Sequence, residues 1–253
     1  TTLFRSATAL RIGGPGSLFW MWISAILGMV TKYSESLLAV KYRVTDENNQ
    51  MAGGPMFYIQ NGMGERFIWL AKAFSVFGMC TALFGCGTFP QVNAITESVN
   101  VTFRIPIVVA GIIVTVLTAV VTIGGIKSIS KVAEIVVPIM ALTFLGGSVV
   151  ALVINRAAVP GAFKAIFTCA FAKESVIGGT AGTGVITFMT VMRTGIARGV
   201  YTNEAGLGSS PIVAAAAKTN SGVRQGLLSM TSVFVTTILT CSMTGLVIIS
   251  SGL

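Results

Sequence analysis

Histidine is absent from the 253 residues, which removes imidazole metal sites and any hydrolytic scheme that relies on a histidine base. Charge is scarce as well. Asp, Glu, Lys and Arg make up 10% of the chain, with 8 acidic residues against 17 basic ones. The net charge of +9 would suit a nucleic-acid partner, but the basic residues are scattered between apolar runs and form no continuous stripe. No nucleic acid is expected, and membrane topology accounts for the charge. The four cysteines, Cys80, Cys86, Cys169 and Cys241, lie in apolar stretches without CxxC spacing and read as free buried thiols.

What fills the chain instead is hydrophobic. The apolar share is 53% and the mean hydropathy is +0.85, far from a soluble domain. Six runs approach the ~20 apolar residues needed to cross a bilayer: Gly16 to Val40, Ile68 to Ile95, Ile105 to Ile126, Val132 to Ile154, Val176 to Met192 and Leu227 to Ile249. The pattern predicts an all-α, polytopic transmembrane bundle, multi-pass in the plasma or inner membrane, with the lipid bilayer as its solvent. Lys and Arg are spread almost evenly over the two sets of loops, so orientation stays open.

Thr1 to Ser6 reads as the in-frame translation of a common sequencing adapter. Residues 1–6 are therefore expected to be a scar, and 7–253 a single transmembrane domain.

Several polar features interrupt the apolar runs. Gly13-Gly14-Pro15-Gly16 separates a stub, Ala7 to Ile12, from the first full span. That span carries Phe19, Trp20 and Trp22 near one end, where aromatics favour the interface. Farther along it, Lys32 and Glu35 are spaced to pair on one helix face, or to snorkel at the helix end. The stretch from Gly53 to Gly64 is too short to span and predicts an interfacial or re-entrant helix. Pro160 to Ala172 predicts a short surface helix. Gln91 and Asn93 must face protein or water, as helix–helix contacts or as substrate contacts. Gly178-Gly179-Thr180-Ala181-Gly182-Thr183-Gly184 reads either as a broken span or as a GxxxG packing face. Thr236, Thr237 and neighbouring hydroxyls offer oxygen ligands for a hard cation, or bond back to their own helix. Thr202 to Pro211, polar and Gly-rich, reads as a pathway element or as an interhelical loop with Asn203 as a cap.

Taken together, the motifs name a family. Gly53-Gly54-Pro55-Met56-Phe57-Tyr58-Ile59, Ala197-Arg198-Gly199 and Asn203-Glu204-Ala205-Gly206-Leu207-Gly208-Ser209 with Pro211-Ile212 resemble the alanine/glycine:cation symporters. Trp20-Met21-Trp22, Thr31 to Glu35, Lys41-Tyr42-Arg43 and Arg224 to Leu227 match the same family. The resemblance runs from Ala7 to Leu253.

It implies a partial inverted-repeat fold of the neurotransmitter:sodium symporter type. In that scheme Ala7 to Ile12 is the tail of helix one, Gly178 to Gly184 the break of helix six, Thr202 to Lys218 helix seven, and the last span helix eight. The start of helix one and everything after helix eight would be missing, and such a fragment should not transport alone. The implied activity is sodium-coupled symport of small neutral amino acids, alanine or glycine, by alternating access. Na+ is the coupling ion and no enzymatic cofactor is implied. Gln91, Asn93, Gly178, Gly179, Thr180, Gly182 and Thr183 would line the substrate, and Thr236 and Thr237 would hold the cation. Lys32, Glu35, Asn203 and Glu204 would be gating or structural. The family usually carries an aromatic at position 180, an Asn at 88 and often an Asp at 236, so Thr180 implies a wider pocket here. The competing class is an intramembrane enzyme or scaffold using Glu204 with Ser209 or Ser210.

Overall fold

The computed structural model describes residues 2–45, 51–84, 89–172, 174–177 and 184–252. It divides into two compact units, residues 1–78 with 151–253 and residues 79–150.

In the first unit, α1 (Thr2–Gly13) ends at Gly14, whose φ of 67° turns the chain into α2 (Ser17–Lys41). A short hairpin, β1 (Val44–Thr45) with β2 (Met51–Ala52), leads to α3 (Pro55–Met63). The segment read as an interfacial or re-entrant helix forms a helix of nine residues. A 3-10 turn (Glu65–Phe67) opens α4 (Ile68–Leu83). After the other unit, α8 (Val159–Phe171) and α9 (Phe188–Asn203) flank β3 (Glu174–Ile177) and β4 (Gly184–Thr187). Next come α10 (Ser209–Ala215), α11 (Gly222–Val233), a π-helical turn (Phe234–Thr240) and α12 (Cys241–Ser250).

The heaviest packing in this unit is on α2, against α9, α10 and α11. A methyl group on Gly195 would lie 2.4 Å from the Ser17 carbonyl oxygen, one on Gly199 2.7 Å from Ser24 Oγ, and one on Gly28 2.6 Å from Asn203 Nδ2. Successive positions therefore match in the same order, and α9 runs parallel to α2. Gly222 meets Leu37, Gly226 meets Tyr33 and Gly245 meets Leu18, so the last helix runs antiparallel. Both approaches use small residues one turn apart, which is how helices close on each other in lipid. At the start of α2, Leu18 and Met21 pack with Ala162, Ile166, Cys241 and Leu246 in one buried cluster. Trp20 Nε1 donates to the Ala170 carbonyl at 3.1 Å, and Trp22 Nε1 to Ser242 Oγ at 2.7 Å. The helix predicted over Pro160 to Ala172 thus buries one face, Ala162, Ile166 and Ala170, while Phe163, Phe167 and Phe171 stay exposed.

The second unit holds α5 (Phe89–Phe103), α6 (Ile107–Ile123) and most of α7 (Gly125–Ile154). Its α5–α6 turn places Arg104 at φ 55° and is closed by Asn100 Nδ2 donating to the Ile105 carbonyl at 2.8 Å.

Among the described residues four helices are long and apolar enough to cross a membrane: Ser17–Lys41, Glu65–Leu83, Ser128–Ile154 and Gly222–Ser250. Three expected extents are corrected. Ile68 to Ile95 is not one span, because α4 ends at Leu83 and α5 begins at Phe89. Val176 to Met192 is not a helical span either. Residues 174–177 pair antiparallel with 184–187, as suits Val176, Ile177, Val185 and Ile186, which are β-branched. Thr202 to Lys218 is not one helix: Thr202 and Asn203 close α9, and α10 has only seven residues. Of the cysteines, Cys241 is buried, Cys80 and Cys169 are half-buried and free, and Cys86 lies outside the described residues.

Candidate functional site

The end of α9 is where the polar motif folds into a site. Glu204 caps the helix in the left-handed region, φ 54° and ψ 22°, with its N–H bonded to the Val200 carbonyl. Asn203 Oδ1 accepts from the Ala205 N–H at 3.0 Å, a local turn of the kind Asn side chains build. Gly206 and Gly208 follow at φ 81° and 79°, conformations a side chain resists. A Cβ at Gly208 would also strike Phe74 at 2.4 Å. The chain then enters α10, whose Ser209 Oγ donates to Glu204 Oε2 at 3.4 Å.

Against this turn α2 presents Lys32 and Glu35. The Lys32 ammonium, 7% exposed, donates to the Asn203 carbonyl at 2.8 Å. Both Glu204 and Glu35 attract it. Lys32 and Glu35 attract each other from one face of α2, and the lysine also reaches across to the end of α9. The reason is physical. The C-terminus of α9 leaves carbonyls without helical partners and carries the negative end of the helix dipole, so a buried cation is best held there. Glu35 lies against the Gly206 N–H. Its Oε2 is buried with no hydrogen-bond partner, as is Asn203 Nδ2. Tyr58 of α3 is half-buried nearby, and its phenol is pushed above the usual range, first by burial and then by the Glu35 carboxylate.

Arg43 fixes the far end of the motif. Its guanidinium donates to the carbonyls of Ala215, Ala217 and Thr219 at 3.1, 2.8 and 2.7 Å, and to Asn220 Oδ1 at 3.3 Å. It thereby caps α10, and with Lys32 and Glu35 it anchors the whole turn on α2.

The π-helical turn is a second polar feature inside the unit, packed against α1, α2 and α9. Thr240 Oγ1 and Cys241 Sγ bond to carbonyls five residues back. Such bulges recur at functional positions because they free backbone groups. The two threonines there differ. Thr236 Oγ1 is bonded to the Ser232 carbonyl at 2.9 Å, whereas Thr237 is fully buried and its hydroxyl has no partner.

The structure thus brings Lys32, Glu35, Asn203 and Glu204 into one cluster and places Thr236 and Thr237 on a separate turn. Gln91, half-buried, and Asn93, exposed, sit on α5 in the second unit. Gly178, Gly179, Thr180, Gly182 and Thr183, like Thr88, lie outside the described residues. The roles of Arg43 and Tyr58 and the π turn went unread in the sequence. Arg43 had a signal, an Arg in a chain whose Ala-rich helix needs its last carbonyls capped. The π turn had none.

A model of the sodium:alanine symporter family matches residues 5–253. An uncharacterized transporter of Haemophilus influenzae is 51% identical over 97% of the chain and 53% of its own length. The sodium/alanine symporter AgcS of Methanococcus maripaludis is 43% identical over 98% and 53%. The probable sodium/glutamine symporter GlnT of Bacillus subtilis is 33% identical over 97% and 49%. The chain spans about half the length of the curated relatives it matches.

Proposed function

Because the chain belongs to the sodium:alanine symporter family, we propose that the whole protein carries a small neutral amino acid with Na+ by alternating access. The family match across residues 5–253 carries this reading. The family is one of transporters, so the chain is a multi-pass cell-membrane segment and not an enzyme. The scheme with Glu204 and Ser209 or Ser210 as reactive groups falls with that, and Ser209 is occupied as a donor to Glu204.

In this reading Gly178, Gly179, Thr180, Gly182 and Thr183 let backbone approach a small zwitterion, and Gln91 and Asn93 supply amide contacts. Thr237 is the better of the two cation candidates, since it alone has a free buried oxygen. Thr236 spends its hydroxyl on its own helix. Lys32, Glu35, Asn203 and Glu204 serve as a latch: the turn after α9 is held on α2 by the buried Lys32–Asn203 hydrogen bond and by Glu35 against the Gly206 N–H, and it moves when these contacts are exchanged. Two orphaned buried polar atoms beside it support a conformation that is not the only one in the cycle.

The test is uptake of labelled alanine by the full-length protein in proteoliposomes, with and without an inward Na+ gradient, and with unlabelled glutamine as competitor. Gradient-driven accumulation of alanine is expected. Uptake that ignores Na+ would overturn the coupling. Glutamine competing as well as alanine would move the substrate to a larger side chain, and Thr180→Phe should then restore preference for alanine.

A further inference from the structure

We propose that the groove between α1 and α9 binds the phosphate of an anionic phospholipid headgroup. The groove encloses about 420 Å³ and is lined by Ile12 of α1 and by Arg193, Thr194, Ala197, Arg198 and Tyr201 of α9. Two guanidiniums share it, and among the described residues neither makes an ion pair or donates a hydrogen bond. Two unpaired guanidiniums in one groove repel each other, and a phosphate is the anion their planar forks fit best. Thr194 and Tyr201 add hydroxyls, while Ile12 and Ala197 give an apolar wall suited to the start of an acyl chain.

Depth selects the lipid over a soluble anion. Thr194 lies against Gly13, and Gly195 against Ser17 and Trp20. The upper end of the groove is therefore level with the start of α2. There Phe19 meets Trp20, Trp22, Phe167 and Phe171 at centroid separations of 5.0–6.5 Å. Ser17 begins a helix long and apolar enough to cross a membrane, so the start of α2 lies at the interface, the depth of lipid phosphates. Arg198 is about one turn deeper, within reach of that level for a long side chain. Basic clefts between membrane helices are a recurrent form of headgroup site.

The experiment uses the purified full-length protein, titrated with phosphatidylglycerol or phosphatidylcholine and read by native mass spectrometry. Retention of phosphatidylglycerol over phosphatidylcholine is expected, with an affinity that falls about tenfold or more in Arg193→Gln/Arg198→Gln. Arg156→Gln, exposed in the turn between α7 and α8, should retain the lipid as wild type does. Equal retention by the double variant would overturn the proposal, and so would displacement of the lipid by millimolar inorganic phosphate, which marks a soluble-anion site. If the double variant does not fold, a photoactivatable phosphatidylglycerol on the unaltered protein decides the matter. Adducts within residues 188–203 support the groove, and adducts confined elsewhere remove it.

Discussion

The Lys32 ammonium donates a 2.8 Å hydrogen bond to the backbone carbonyl of Asn203, joining the middle of the membrane helix α2 to the C-terminus of α9. A lysine so buried is costly in an apolar unit. Here the α9 dipole, Glu204 and Glu35 oppose that cost in part. The bond also pins the residue that precedes a left-handed Glu204. A change at this contact therefore reaches the whole turn.

Lys32→Met should destabilise the protein by on the order of 3 kcal/mol, because it strands two carboxylates beside buried backbone. Thermal unfolding in detergent measures this. Adding Glu35→Gln to the same variant should recover part of the loss, since one uncompensated charge is then removed. A double variant no more stable than the single one would detach Glu35 from the cluster.

Gly195→Val should cost about 1–3 kcal/mol through overpacking, because the new Cβ meets backbone, the Ser17 carbonyl oxygen at 2.4 Å. Gly146→Ala in α7, with nothing within 4 Å of its added Cβ, should be neutral or stabilising by up to about 1 kcal/mol from helix propensity. Melting temperatures of the two variants, measured side by side, check the contrast.

Arg43→Lys keeps the charge but cannot hold three carbonyls with one fork. Hydrogen exchange in the stretch 215–221 should accelerate about tenfold or more as the end of α10 opens, while exchange in α12 stays unchanged. Unaltered exchange after the substitution would show that α10 is capped by something else.

Thr237→Val should raise the Na+ concentration for half-maximal uptake by about tenfold or more, as expected for a lost oxygen ligand. Stability should hold or rise, because an unsatisfied buried hydroxyl disappears. Thr236→Val, which loses only a bond to its own helix, should shift that concentration less than about twofold. Equal responses from both variants would remove the cation assignment from this turn.

The sequence by itself determined the class of molecule. Apolar runs at bilayer length, the break at Gly13 to Gly16, the short helix after Gly53-Gly54-Pro55 and the polar stretch from Asn203 to Ser209 are local signals, set by transfer energies and backbone freedom within a few residues. The fates of Lys32 and Glu35 were not local. Helical spacing offered them one another, and only the parallel packing of α9 on α2, through Gly195 and Gly199, brings the Asn203 carbonyl within reach. The same holds for Arg43, whose acceptors lie more than a hundred residues away in the chain. Thr236 and Thr237 are neighbours of identical type, and the π turn alone separates a bonded hydroxyl from an orphaned one. Composition and period decide what enters the membrane. Which buried charge meets which carbonyl is decided by how closely glycine lets two helices approach.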